Sequence, residues 1–403
     1  MRLNTPLIGL ASLARIAFAG ADLNQVRAGL LERLGRNDND ANALMDLSIV
    51  TQLMGRRQLG LSMQGFALDV EQIYSLPGTE GPPAVRLLGI VAPGDLAQNN
   101  ALEFLVEGSD IRLDLLYVRP DRPLPANIPD HDLAMVAVCE TDQNRRLLRQ
   151  IENLFEGWPR PLICAPDRIA RLSRDGACGL LESMPGVTMP QTVRIGRPTL
   201  ERSALGRPSS VQLEYPFIIR PVDSQKGQGL TKLDAPPAIA GYLATRPERE
   251  FYTAPYIDYR SADGQFRKYR IVLIGGRPYA CHMAISDRWI VHYMSAGMRE
   301  STAKRTEEER FFARFDEDFA LRHSEALRAI ARRLELEYVG IDCGETPDGQ
   351  LLIFEVDSGM TVHSMDPVET FPYKRPQMKK VFRAFRQMLI DAAGAARPPT
   401  AAV

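Results

Sequence analysis

Between residues 5 and 75, apolar side chains recur at the three-to-four spacing of helix faces. Leu23, Val26, Leu30, Leu31 and Leu34 make one stripe. Leu44, Leu47, Val50 and Met54 make a second, and Leu59, Met63, Phe66 and Ala67 a looser third. The pattern predicts a helical accessory domain over residues 1–80, closed by the turn-rich linker from Leu76-Pro77-Gly78 to Gly81-Pro82-Pro83. Residues 7–19 are apolar and end in small residues, a faint likeness to an export signal. Arg15 interrupts that stretch and the amphipathic pattern runs on past Leu23, so a packed first helix is expected.

After Pro83 the period shortens. Strand-like runs at 85–91, 111–118, 133–139 and 161–164 are interleaved with helix-like stretches at 100–107, 141–156 and 166–175. This alternation predicts a small doubly wound α/β domain over residues 84–190. Strands are expected again at 216–221, and at 268–274 and 278–285 with Gly275-Gly276 as the hairpin turn. An amphipathic helix over 317–336 precedes a second hairpin, and a helix over 378–392 follows it. The charge run from Arg299 to Arg310 is expected to be a mobile solvated loop, or a lid.

At 403 residues the chain exceeds one ordinary core, so two or three domains are expected. The net charge of −1 gives no reason to expect nucleic acid or an acidic membrane as partner. No uncharged apolar run is long enough for a membrane span. Cys139, Cys164, Cys178, Cys281 and Cys343 have no CxxC spacing, which predicts buried, reduced thiols and a cytoplasmic protein.

Chemistry concentrates near the C-terminus. Tyr338-Val339-Gly340-Ile341-Asp342-Cys343 and Leu351-Leu352-Ile353-Phe354-Glu355-Val356-Asp357 flank a Pro-Asp-Gly turn. Glu355 and Asp357 are two apart and share a strand face. A two-residue turn sets Asp342 opposite Glu355. A four-residue turn keeps it on that face, and a three-residue turn with a bulge at Gly349 puts it on the other. Carboxylates inside apolar strands call for a compensating cation, and hard oxygen ligands suit Mg²⁺. A half-exposed hairpin whose carboxylates face water is the equal alternative. Upstream, the loop Ser224-Gln225-Lys226-Gly227-Gln228-Gly229 follows a strand, and its amides suit a phosphate. It is no Walker loop.

The strand Phe217-Ile218-Ile219-Arg220-Pro221 with this glycine loop, and Asp342 with Glu355-Val356-Asp357, resemble the ATP-grasp ligases. The nearest branch is that of glutathione synthetase and the ribosomal-protein glutamylation ligases. The resemblance covers roughly residues 85–370. It implies an α+β / α/β multidomain protein: the helical N-terminal domain, the α/β domain, and an ATP-grasp domain over 191–395, split into subdomains at 191–255 and 256–395. The helices around Gly55 and Gly60 loosely resemble one tetratricopeptide unit, too few for a solenoid.

Carried over by position, the resemblance implies that Lys226, Gly227 and Gly229 cover the ATP phosphates. Arg220 stands for the lysine that touches the α-phosphate, with Arg202 and Arg207 as candidates for the other nucleotide lysine. Tyr256 and Ile257 form the adenine hinge, and Asp258 takes the ribose. Arg270 faces the transferred phosphoryl group. Lys268 stands where an acidic residue is usual, and Asp357 where asparagine is. Asp342, Glu355 and Asp357 would hold two Mg²⁺, with Mn²⁺ as a substitute. His363 follows the hairpin and is taken as a second catalytic candidate. His292 is read as a packed structural residue. His282 and His323 are read as structural or solvent-facing, and Asn99 and Asn100 as local caps rather than substrate contacts.

The expected activity is ATP-dependent ligation of a small-molecule or peptide carboxylate to an amine through an acyl phosphate. The alternatives are a non-catalytic ATP-binding interaction protein and a carboxylate kinase. A protein or peptide on the helical domain and a homodimer are the remaining partner expectations.

Overall fold

The computed structural model describes residues 5–78, 81–207, 211–224 and 227–395. The chain divides into two compact units. One runs up to Ala170, with Leu336–Val339 and the chain from Asp357 onward; the other comprises Arg171–Glu335 and Gly340–Val356.

The first unit begins with four helices, α1 (Leu10–Phe18), α2 (Leu23–Arg36), α3 (Ala41–Leu53) and α4 (Arg57–Val70). Helix α3 is buried from Ala43 to Thr51, so it forms the centre of this layer. Helix α4 crosses it closely at Gly60, where a Cβ would lie 2.9 Å from the Ser48 carbonyl oxygen. The start of α1 is held by two buried carboxylates. Asp46 accepts the Ile8 and Gly9 amides at 2.9 and 3.0 Å, and Glu103 accepts the Ala11 amide at 2.9 Å. They satisfy helix-end donors that have no partner within the helix.

The first sheet follows: β1 (Ile73–Ser75), β2 (Val85–Val91), α5 (Leu102–Val106), β3 (Ile111–Tyr117), β4 (Leu133–Val136), α6 (Arg145–Leu154), β5 (Leu162–Ile163) and α7 (Pro166–Ile169). Strand order is β1-β3-β2-β4-β5. Strands β2 to β5 are parallel and β1 is antiparallel to β3. The doubly wound sheet matches the alternation in the sequence. Strand β1 does not; helix was expected there, but Ile73-Tyr74-Ser75 takes the open edge of β3 instead.

The second unit carries α8 (Arg174–Leu181), β6 (Val187–Thr188), β7 (Val193–Gly196), α9 (Arg197–Ala204), β8 (Phe217–Pro221), β9 (Thr231–Leu233), α10 (Pro237–Ala244) and β10 (Glu250–Pro255). Strands β7 to β10 form an antiparallel sheet in the order β7-β10-β8-β9 over a core that includes Leu200, Phe217, Ile219, Ile239 and Phe251. Next come β11 (Phe266–Ile274), β12 (Arg277–Ser286), α11 (Thr302–Ala313), α12 (Phe319–Arg322), α13 (Ser324–Leu334), β13 (Tyr338–Glu345) and β14 (Leu351–Asp357). Their sheet runs β12-β11-β13-β14-β6. The chain returns to the first unit and its last helix, α14 (Lys374–Ala395), packs on β2, β4 and α5.

The charge run is corrected from loop to helix. Ser301 caps α11 by accepting the Lys304 amide, and Glu308 is fully buried on its inner face. Glu308 accepts hydrogen bonds from the Met283 amide at 3.1 Å and the Tyr293 hydroxyl at 3.0 Å. The residues that looked solvated thus include the anchor of the segment. The helices expected at 166–175 and 317–336 each break in two, with Ser173 capping α8 and His323 between α12 and α13. No helix among the described residues is long and apolar enough to cross a membrane. All five cysteines are free and buried.

Candidate anion-binding site

Asp342 lies in the middle of β13, almost completely buried. Lys268 and Arg270, two apart on neighbouring β11, both reach it. Arg270 donates from Nε to Oδ1 at 2.7 Å and from Nη2 to Oδ2 at 2.9 Å. Lys268 Nζ is 2.6 Å from Oδ2. Burial alone would raise the Asp342 carboxyl, but Arg270 and Lys268 outweigh it and hold the group far below the usual carboxylate range. Burial likewise works against the Arg270 charge, and Asp342 restores it.

Glu355 is held by Arg174. The Nη2 of Arg174 is 2.5 Å from Oε1, and its Nη1 donates to the Phe354 carbonyl at 3.1 Å. The turn before β14 is closed by backbone hydrogen bonds. The Thr346 amide donates to the Gln350 carbonyl at 3.0 Å, the Gly349 amide donates to the Thr346 carbonyl at 2.9 Å, and Gly349 has φ +83°. This is the three-residue turn with its glycine in the left-handed region. Glu355 also lies within the electrostatic reach of Arg270, the partner of Asp342. The Phe354 ring tip is 2.9 Å from where a Gly344 Cβ would lie.

The expected trio of Asp342, Glu355 and Asp357 does not form a metal-holding group among the described residues. Among the described residues, no three His, Cys, Asp or Glu are grouped to hold a metal ion. Asp342 and Glu355 are already matched by protein cations. The residues as placed do not fit the divalent ions that the resemblance implies.

The glycine loop begins beside this cluster. Arg220, at the end of β8, is buried and turns back on the loop. Its Nε donates to the Ser224 hydroxyl at 2.9 Å, and its Nη2 donates to the Ser224 carbonyl. Burial, then Arg174, brings its pKa down to about 10. Gly227 and Gly229 both have φ +69°. At Gly229 a Cβ would come 2.6 Å from Pro221 Cδ, and the Tyr242 hydroxyl donates to the Gly229 carbonyl at 2.8 Å. Lys226 lies outside the described residues. Above Gly227 sits the His292 ring, which fills the place a Cβ would take. Burial, then Lys268, lowers the His292 pKa; Asp342, Arg220 and Arg270 are within its electrostatic reach.

Arg174, Lys268 and His292 thus join Arg220 and Arg270. From the sequence alone Lys268 stands out only as a departure from the family pattern, and His292 as packing. The period-two spacing from Arg270 was the available signal for Lys268. Arg174 sits on a helix far along the chain and gave none.

The remaining candidates have local duties. The Tyr256 amide donates to the Pro216 carbonyl at 3.0 Å, and its ring lies 4.5 Å from the Lys232 ammonium. Ile257 is half-buried after β10. Asp258 pairs with Arg260 at 2.5 Å, which lowers its pKa. Arg202, near the end of α9, and Arg207, just after it, are both exposed. His282 stacks on Tyr293 at 4.8 Å, and His323 meets Glu345 at 2.8 Å.

In the first unit, Asp357 accepts the Gly359 amide at 2.8 Å. His363 Nδ1 accepts the Met365 amide at 3.2 Å, and the ring lies between Phe18 at 5.8 Å and Phe104 at 6.1 Å. Asn99 bonds both polar groups of Ala92, and Asn100 donates to the Ser358 carbonyl at 2.7 Å. Asn99 braces its own loop, as the local-cap reading expected, whereas Asn100 bonds a distant turn instead of capping locally.

No family model and no curated protein matches the chain. Among solved structures, it is similar to the D-alanine–D-alanine ligase of Bacillus anthracis complexed with ATP (12% identity, TM-score 0.45, 77% of this chain and 97% of that one). It is also similar to a RimK domain protein, described as ATP-grasp, from Sphaerobacter thermophilus (15%, 0.44, 76% and 99%). A third is the VanG D-Ala:D-Ser ligase of Enterococcus faecalis (17%, 0.44, 77% and 99%). At TM-scores of 0.44 and 0.45 these likenesses carry no argument about what the chain does.

Proposed function

We propose that the chain is an ATP-dependent ligase that joins a carboxylate to an amine. The observation behind this reading is the set of cations around β8 and β11. Arg174, Arg220, Lys268 and Arg270 outnumber Asp342 and Glu355, beside a loop whose glycines at 227 and 229 adopt left-handed backbone. Such a surface suits the charge of a transferring phosphoryl group better than acid–base chemistry.

In the reaction, a carboxylate oxygen attacks the γ-phosphorus and the bond to the bridging oxygen breaks, releasing ADP. The amine then attacks the acyl carbon, inorganic phosphate leaves and the nitrogen loses a proton. Arg270 and Lys268 would neutralise charge at the phosphoryl oxygens, and Arg220 would brace the glycine loop. His363 stays in the proposal as the second catalytic candidate, for the acceptor amine.

A phosphate-release screen of amino acids and short peptides with ATP tests the reading. Amine-dependent release that is lost in Arg270→Ala supports it. Release that needs no amine, with the product trapped by hydroxylamine, points to a carboxylate kinase. ATP binding without any turnover points to a nucleotide-binding interaction protein, a reading favoured by the engagement of Asp342 and Glu355 with protein cations.

A further inference from the structure

We infer that the polyphosphate seat of the second unit works without a divalent cation, with Asp342 as the internal counter-ion that holds Lys268 and Arg270 in place. This deepens the nucleotide reading above and rests on it for the identity of the ligand.

Three observations carry it. First, both Asp342 oxygens are engaged: Arg270 grips them in a two-point clamp at 2.7 and 2.9 Å, and Lys268 adds a contact at 2.6 Å. A metal ion on Asp342 would have to displace a guanidinium and an ammonium. It would leave two cations beside a dication, with no anion between them. Second, Glu355 is already taken by Arg174 at 2.5 Å, and the same arginine donates to the Phe354 carbonyl at 3.1 Å. Bridging of one ion by Asp342 and Glu355 would have to displace Lys268, Arg270 and Arg174 from them. Third, the charges add to an excess of protein cations. Arg174 and Glu355 lie within the electrostatic reach of buried Arg220, and Arg220, Lys268, Arg270 and Asp342 within that of His292.

The arrangement does with fixed side chains what bound metal ions otherwise do for phosphate oxygens. Lys268 is central because it reaches buried Asp342 at 2.6 Å from the same face of β11 as Arg270. Its ammonium has three donors and spends one on Asp342, so it can serve a phosphate oxygen as well.

Calorimetric titration of the full chain with inorganic tripolyphosphate, and separately with ATP, tests this in excess EDTA and in excess Mg²⁺. The expected result is binding in EDTA with a Kd within tenfold of the Mg²⁺ value. Lys268→Gln should weaken the EDTA value at least tenfold with an unchanged melting temperature. If Lys268→Gln does not fold, Arg174→Gln is expected to show the same loss. Binding of ATP in Mg²⁺ but not in EDTA overturns the inference and leaves the ligase reading standing. Binding of neither ligand in either buffer overturns both. Titration of the ligand-free chain with Mn²⁺, followed by paramagnetic resonance, is expected to show no stoichiometric site. A site that disappears in Asp342→Asn would overturn the counter-ion role.

Discussion

The ring of His292 occupies the space that a side chain on Gly227 would need. The glycine loop and the segment after β12 are therefore fitted to each other, and the fit depends on a residue without a Cβ. Gly227 also has φ +69°, where alanine costs about 1 kcal/mol. Gly227→Ala is expected to lower ATP affinity at least tenfold while the melting temperature changes little. Adding His292→Ala should return part of the affinity, because it removes the clash but not the backbone cost. Unchanged ATP affinity in Gly227→Ala would show that the loop takes no part in binding.

His292 also makes a pH prediction. Burial and Lys268 hold its folded pKa below the ordinary histidine value, so the ring is neutral near pH 7. In the ligand-free protein, the unfolded chain takes up protons first as pH falls, so His292 contributes a loss of stability on the acid side. A polyphosphate beside it reverses the sign by favouring the charged ring. Binding then takes up a proton, and affinity rises as pH falls from neutrality toward 5. A one-unit rise in pKa on binding corresponds to roughly tenfold in affinity. Calorimetry in buffers of different ionisation enthalpy reads the proton directly. His292→Gln should abolish the uptake; an uptake that survives the substitution assigns the proton elsewhere.

Buried carboxylates in the helical layer set a second pH dependence. Burial raises Glu103 to about 7 and Asp46 to about 6, against partial relief from the amides of α1. Glu107 and Asp46 raise Glu103 further; Arg33 lowers Asp46 and Asp40 raises it. Both folded values exceed the unfolded ones, so the folded state binds more protons between them. Stability is then fully present below the unfolded pKa and lost as pH rises through about 6 and about 7. Glu103→Gln keeps an acceptor for the Ala11 amide and carries no charge. It is expected to stabilise the protein by about 2 kcal/mol at pH 8 and by little at pH 5. Urea denaturation at the two pH values decides, and equal effects at both would refute the assignment.

Much of the fold could be read from periodicity, and less of the site. The parallel sheet was visible because β2 and β3 are buried runs separated by turn residues. The hairpin of β13 and β14 was visible too, but its consequence depended on the turn. Pro347-Asp348-Gly349 is compatible with two, three or four connecting residues, and a change of one residue moves Asp342 across the sheet. Helix α11 was misread because charge normally means solvent, whereas Glu308 is buried and satisfied by Met283 and Tyr293. The Arg174–Glu355 pair spans 181 residues of chain, and no local pattern announces such a contact.

The turn after β14 supplies the last prediction. A Cβ on Gly359 would fall inside the Cys139 sulfur, so the turn lies directly on the end of the first sheet. Asn100 holds the same turn through the Ser358 carbonyl at 2.7 Å, and Asp357 holds it through the Gly359 amide at 2.8 Å. Three contacts therefore fix where the Asp357 carboxylate stands. Gly359→Ala is expected to destabilise by about 2 kcal/mol through overpacking. Cys139→Ala alone should cost about 1 kcal/mol for the lost buried sulfur. Together they should cost less than the sum, because the small residue at 139 makes room for the methyl group at 359. A double-mutant cycle on urea denaturation should give a favourable coupling of at least about 1 kcal/mol. Additive effects would mean that the turn moves away freely, and that Cys139 does not set the position of Asp357.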